Sequence, residues 1–335
     1  MYFREDTIDD LMRSVYDALL ERGKSNCATK GSTTELLGCN LVLNNPRARI
    51  SRSESRGKIF SCLGELLWYL SGTGDVSFIK HYISKYEKCA EDNGVINGAY
   101  GPRIFHMHDK HDQLKNILEL LKERSTTRRA VIQLFDASDI QVNYKDVPCT
   151  LTLQFTVREN RLDLYTMMRS NDAYLGLPHD IFCFTMLQEI VASSLGCDLG
   201  KYHHFVVSLH LYDKHIEKVK NMQNEGYMAT HDLMEPMPEE NFISIRNTIL
   251  ECENKIRTLQ DIDLDNVQLE DYWKDILRLL QIYTALDNKD LRTAITTARK
   301  LNNTQYSIFT DSRIKDFTSG QRQDIKTDRV KPLPI

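Results

Sequence analysis

The chain has 335 residues, 41% of them hydrophobic, enough for the core of one large domain or two ordinary ones and too many for a disordered or fibrous protein. Its 43 Lys and Arg against 47 Asp and Glu leave a formal charge of −4, so the basic excess that scanning nucleic acid requires is missing and any anion it binds is expected to be small. The first residues mix acids and bases without an apolar run, and no later stretch reaches the roughly 18 apolar residues of a membrane helix, so a cytoplasmic protein with no membrane association is expected.

Leu11, Val15, Leu19 and Leu20 recur at helical spacing and predict a helix that ends before Gly23. The segment 38–46, GCNLVLNNP, reads as a short strand. IFSCLGELLWYLSGTG predicts a helix stopped by its glycines, and VSFIKHYISKYEKCAEDNG another, closed by Asn93-Gly94. A polar turn region is expected to about Arg103, then a strongly patterned helix in QLKNILELLKER. RRAVIQLF, LTLQFTV and RLDLYTMMR are rich in β-branched and aromatic residues and read as strands. IFCFTMLQEIVASSLG is apolar on nearly every face and reads as a buried helix. KYHHFVVSLHLY reads as a further strand and DKHIEKVKNMQNEG as a helix after it. Strands and helices mix without regular alternation, which predicts an α+β core rather than a doubly wound parallel sheet. Beyond DLMEPMPEEN the residues shift to helix formers, so the chain divides into a core over 1–239, a helical extension over 240–302 and a polar tail over 303–335.

Eight cysteines show no CxxC pair and no clustered His/Cys spacing, which argues against a metal site or a disulfide framework and leaves open which thiol works. Cys149 follows Pro148 at a strand entrance, as a buried small hydrophobe or as a nucleophile whose thiolate a cation favours. Arg169 and Ser170, in the cluster RSND, can hold an anion through a guanidinium and a hydroxyl or can belong to a solvated loop. Arg128 and Arg129 are adjacent at the start of a strand and point to opposite faces, so they cannot serve one ligand within their own chain unless a bulge intervenes.

Taken in order, Glu65 in ELLWYLSGTG, Tyr100 in NGAYG, the Arg128-Arg129 pair, Pro148-Cys149 with Gln154-Phe155, Arg169-Ser170 running through Asp172 to LGLP, and His210 with Tyr212 and His215 resemble the thymidylate synthase superfamily over about residues 25–238. The resemblance implies a thymidylate synthase-like mixed sheet with packed helices, to which the C-terminal helices are an addition. Thr150 stands where synthases carry His, Asp180 where they carry Asn, and Tyr86 and Cys89 where they carry two tryptophans, while VSLHLY lacks their Gly-Asp. In these places the sequence is more similar to the deoxycytidylate hydroxymethylase branch.

Asp180 has a physical rationale beside the resemblance. An Asn amide matches uracil's N3–H donor and O4 acceptor, whereas cytosine presents an N4 amino donor beside an N3 acceptor. A carboxyl group can accept from N4 and, when protonated, donate to N3, or can pair as a carboxylate with an N3-protonated ring. The alternative is an Asp that caps the helix after it.

The resemblance implies that Cys149 adds to C6 of a cytidine 5′-monophosphate, dCMP by preference and CMP as an option. Arg169 would favour its thiolate and, with Ser170, hold the phosphate. Glu65 would organise water and protons around the ring. Asp180 and Tyr100 would line the base, His210 and Tyr212 the sugar. Asp172 and Tyr86 would meet 5,10-methylenetetrahydrofolate, the co-substrate, with no metal. A homodimer would bring Arg128 and Arg129 to the other subunit's phosphate. Lys30 is the only cation near the family's N-terminal phosphate-loop arginine, and the Pro-Leu-Pro-Ile end is a candidate to close the site. Two other readings are a synthase that methylates dUMP and a silent nucleotide-binding homologue.

Overall fold

The structure is a computed structural model that describes residues 1–28, 31–53, 58–226 and 233–328. Lys30 and the Pro-Leu-Pro-Ile end lie outside the described residues. The chain divides into two compact units, residues 1–246 and 247–335.

The first unit is built on a mixed sheet. In chain order its elements are β1 (Tyr2–Glu5), α1 (Ile8–Arg22), β2 (Lys24–Ala28), β3 (Gly31–Leu43), α2 (Ile59–Ser71), α3 (Val76–Tyr82), α4 (Tyr100–His106), α5 (Gln113–Glu123), β4 (Val131–Gln133), β5 (Thr150–Arg158), β6 (Arg161–Asp172), α6 (Leu177–Leu195), β7 (Asp198–Tyr212) and α7 (Ile216–Asn224). The sheet order is β1-β3-β7-β6-β5-β4, with β2 folded onto the start of β3. β1 with β3 and β6 with β7 are parallel, and the other pairs are antiparallel. The expected α+β class is what forms.

α6 is the core element. From Ile181 to Ala192 its residues are buried without interruption, because Leu164, Met168, Tyr202, Val206 and Leu209 present one face of β6 and β7 to the interior. The other face carries Tyr165 stacked on His203 at 4.4 Å, with Met167 and Val207 exposed. A buried ion pair ties α6 to the segment after β3: Glu189 accepts from Arg47 at 2.7 Å and from the fully buried Arg49.

Four expectations change. The strand in GCNLVLNNP starts earlier, at Gly31, and pairs with β7 from Thr33 to Leu43, so its Ser/Thr stretch gains the ladder's hydrogen bonds. The helix expected to run from Val76 to Asn93 stops at Tyr82. The β-branched Ile83 turns extended (φ −139°, ψ 86°), and a tight helical turn, Ser84–Cys89, follows. The region before Arg103 holds α4, since Pro102 falls in the first turn, where a missing N–H costs nothing. The strand in RRAVIQLF spans only Val131–Gln133, and both arginines precede it.

α8 (Phe242–Arg257) runs across the boundary between the units. The second unit contains α9 (Asp271–Asp287), α10 (Leu291–Ala298) and α11 (Ser307–Asp328), so helix continues into the polar tail. Ile282, Ala285, Leu286 and Ala294 form its apolar centre, with Ile314 and Phe317 packed on them. The buried carboxylate of Asp275 pairs with Arg278 and accepts the N–H groups of Asn302 and Asn303. No helix of the described residues is long and apolar enough to cross a membrane.

Candidate active site

A cavity of about 540 Å³ opens in the first unit between α2, the 83–89 turn, the 146–149 loop, the end of β6 and the start of α6. Glu65, Tyr86, Tyr100, Cys149, Ser170, Asp172 and Asp180 all line it, with Trp68, Tyr69, Tyr82, Cys89, Asn171 and His179. Residues from positions 65 to 180 thus meet because β5, β6 and α6 end at one place.

Glu65 sits on α2 and is buried. Both of its hydrogen bonds fall on one oxygen: Tyr69 Oη and Tyr86 Oη donate to Oε1 at 3.1 and 2.5 Å. Burial raises its pKa, and the two phenols partly offset that. The break in the helix at Ile83 is what turns Tyr86 inward, against Trp68 at 5.2 Å between ring centroids.

Cys149 precedes β5. Its strand entrance is fastened on two sides: the Arg169 N–H donates to the Cys149 carbonyl at 2.9 Å, and the buried Thr150 donates its N–H and its hydroxyl to Tyr100 Oη at 3.2 and 2.8 Å. Arg169 also donates Nε to the Pro148 carbonyl and an Nη to that of Val147, both at 2.9 Å. The guanidinium therefore braces the loop that presents the thiol and remains partly open to solvent.

Asp180 lies in the first turn of α6, whose cap residue, Gly176, makes no side-chain hydrogen bond. Asp180 is not the cap. Asn171 Nδ2 donates to its Oδ2 at 2.9 Å. Burial pushes its pKa well above the ordinary value and the charge of Glu65 adds to the rise, against the Asn171 bond. Two carboxyls that face one cavity disfavour each other's ionisation. Such a pair supplies an acid and a base side by side.

The remaining expected residues are placed as follows. Ser170 lines the cavity and meets His210 Nδ1 at 3.4 Å through its hydroxyl. His210 and Tyr212 stand behind Ser170, edge to face at 5.3 Å, outside the cavity wall. Asp172 spends Oδ1 on the N–H groups of Tyr174 and Leu175, so its carboxylate shapes the turn into α6. Arg128 and Arg129 are exposed beside β4 and β5, away from this cavity.

The sequence motifs assign no role to Asn171 or His179, both of which line the cavity. The signal for His179 is its place next to Asp180 in LPHD, where its Nε2 lies 3.0 Å from Ser61 Oγ.

A mixed sheet that brings a thiol, a buried glutamate and a second carboxyl to one aromatic-walled cavity defines an α+β protein with a candidate active site. Residues 53–277 match the family model of thymidylate synthase, and the chain belongs to the thymidylate synthase family. Among curated proteins it is similar to the deoxyuridylate hydroxymethyltransferase of Delftia phage PhiW-14, 29% identical over 206 residues, 57% of each chain. The protein of that name from Pseudomonas phage M6 is 34% identical over 163 residues, 48% of this chain and 46% of the relative. That from Bacillus phage SP01 is 30% identical over 209 residues, 58% and 53% respectively. The chain spans about half the length of the curated relatives it matches.

Proposed function

We propose that the protein hydroxymethylates C5 of a pyrimidine nucleoside monophosphate, with a cytidylate as substrate and dCMP preferred to CMP. The observation that carries this is Asp180, a carboxyl in the cavity that burial and Glu65 hold toward its protonated form. A protonated carboxyl offers a donor for cytosine N3 and an acceptor for the N4 amine. The relatives' printed names favour a second reading, a deoxyuridylate, because the same acid can meet N3–H and O4 when its proton sits on the other oxygen.

The cavity has room for a nucleotide base and a second flat ring, and the wall of Trp68, Tyr82, Ile83 and Tyr86 beside Glu65 suits a pterin. Methylenetetrahydrofolate bound there supplies the one-carbon unit. Cys149 Sγ adds to C6 of the pyrimidine and makes C5 a nucleophile. Arg169, which braces the 147–149 loop, favours the Cys149 thiolate and with Ser170 holds the phosphate. Glu65 accepts both of its hydrogen bonds from the described residues on Oε1, which leaves Oε2 to place water at the new C5 carbon and take a proton from it. Once C5 is bonded to the one-carbon unit, its proton is lost as the bond from that carbon to the folate nitrogen breaks and tetrahydrofolate leaves. Water then adds to the exocyclic methylene in place of hydride, and expulsion of Cys149 from C6 restores the ring with hydroxymethyl on C5. Tyr86 takes the place of an indole at this point and keeps the wall polar.

The same proposal includes a homodimer through the outer face of β6 and β7, where Tyr165, Met167 and Val207 are exposed together, with Arg128 and Arg129 donated to the partner's phosphate. Sedimentation of the purified protein tests it, and a monomer at assay concentration refutes it. The chemistry is tested by incubation with methylenetetrahydrofolate and, separately, dCMP, CMP and dUMP, the products being read by mass. A hydroxymethyl adduct on a cytidylate supports the reading and settles the sugar. A hydroxymethyl adduct on dUMP alone moves the substrate to uridylate, a methyl adduct on dUMP makes the protein a synthase, and no product with any nucleotide makes it a silent binder.

A further inference from the structure

The cavity's base-reading corner has a hidden half. Asn171, the penultimate residue of β6, is 3% exposed. Its Nδ2 lies 2.9 Å from Asp180 Oδ2, 3.3 Å from His204 Nε2 and 2.8 Å from Met168 Sδ, while its Oδ1 is buried without a hydrogen-bond partner among the described residues. His204 is fully buried on β7, and its Nδ1 lies 2.6 Å from Tyr202 Oη. Neither residue has any part in the chemistry proposed above.

Which end of the amide faces Asp180 decides what Asp180 can do, and Nδ2, 2.9 Å from Asp180 Oδ2, is the end that faces it. Burial lowers the pKa of His204 to about 3, so the ring is neutral and one nitrogen must accept. Tyr202 Oη lies beside Nδ1, and in the tautomer that carries the proton there Nε2 is the acceptor and calls for a donor from Asn171. The amide then turns Nδ2, with its two hydrogens, to His204 and Asp180, at the cost of an unpaired carbonyl. Asp180 Oδ2 receives one of those hydrogens and cannot carry the acid proton there. The proton is confined to Oδ1.

Resting on the hydroxymethylase reading, we propose that Asn171, oriented by His204, is the positioning residue that makes Asp180 a one-way reader of the pyrimidine edge. A free carboxylic acid can exchange its donor and acceptor oxygens and so pair with cytosine or with uracil. An acid whose Oδ2 is already held by a donor presents one order only. Gly176 keeps this corner open: a Cβ there would lie 3.1 Å from Asn171 Oδ1 and 3.5 Å from Asp180 Oδ2, in the space where the amide and the acid turn past each other.

The test compares Asn171→Ala, His204→Leu and His204→Gln with the unaltered protein, reading the ratio of kcat/KM for dCMP over dUMP and, by calorimetry, the ratio of their Kd values. One misdirected hydrogen bond corresponds to a change of about 10- to 100-fold, so Asn171→Ala and His204→Leu should each bring the ratio toward unity by that factor. His204→Gln keeps an acceptor for Asn171 and should restore it. A residue that only supports the fold would lower both substrates together and leave the ratio alone. That result overturns the inference, as does a His204→Gln protein that discriminates no better than His204→Leu, or an unaltered protein that binds neither nucleotide. If the unaltered protein prefers dUMP, the cytidylate reading fails, yet loss of that preference in Asn171→Ala still upholds the one-way reader.

Discussion

Replacing Tyr100 by Phe removes a single oxygen, and the structure shows what that oxygen does. It accepts both the N–H and the hydroxyl of Thr150, the residue that follows Cys149. The ring itself packs at 5.1 Å from Tyr69 and 6.0 Å from Phe184, contacts that phenylalanine keeps. Thr150 is 0% exposed, so its N–H finds no water once the phenol is gone. An unsatisfied buried donor costs about 1–3 kcal/mol, while the threonine hydroxyl can rotate to another acceptor. The expected loss is therefore about 2 kcal/mol, which at roughly 2–4 °C per kcal/mol lowers Tm by about 4–8 °C. Turnover should fall as well, because Cys149 loses one of the two fasteners of its strand entrance. Calorimetry and mass-detected product formation read the two effects, with Thr150→Val as a milder control that removes the hydroxyl and spares the N–H. A Tm within about 1 °C of the unaltered protein, with full turnover, would refute the claim that Tyr100 positions the thiol.

Three further outcomes are expected. Cys149→Ala should abolish product, by on the order of 10³-fold or more, with nucleotide binding retained, since removing a nucleophile costs at least that; undiminished turnover would end the covalent mechanism. Asp180→Asn should move preference toward dUMP and also change the pH dependence of stability. Because the folded pKa of Asp180 is raised, its stabilising contribution is complete below the ordinary carboxylate pKa and is lost as pH rises through the folded value. The Tm of Asp180→Asn relative to the unaltered protein should accordingly be higher at pH 8 than at pH 5, and thermal melts at the two pH values decide it. Glu189→Gln should cost about 3–5 kcal/mol, read by urea unfolding, because it leaves Arg49 charged and buried with one partner fewer. Burial works against the Glu189 carboxylate, but Arg49 and Arg47 bring its pKa below the usual value, so this contribution is lost as pH falls through the folded pKa.

The elements that carry a clear period were legible before any coordinates: α1, α2, α5 and α6 among the helices, β5 to β7 among the strands. α4 was missed because Gly101-Pro102 looks like a turn until Arg103 is seen buried against Asp139 and the Leu134 carbonyl, a partnership across 36 residues. The break at Ile83 was invisible for the opposite reason, since nothing in the local pattern shows that Tyr86 must reach Glu65. In the site, the thiol and both acids were readable from the motifs. Asn171 and His204 were not, because their meeting depends on the parallel pairing of β6 with β7.

The connection from β6 to α6 is very short. Asn171 and Asp180 sit at its two ends, nine positions apart, whereas Cys149 and Glu65 are supplied from other elements of the chain. On the proposed reading, the part that chooses the pyrimidine and the thiol that transforms it are thus mounted separately. On that reading, exchange of the segment from Asn171 to Asp180 together with its partner His204 would retarget the protein while leaving the thiol of Cys149 in place. An evolving lineage could change its nucleotide diet by the same small step.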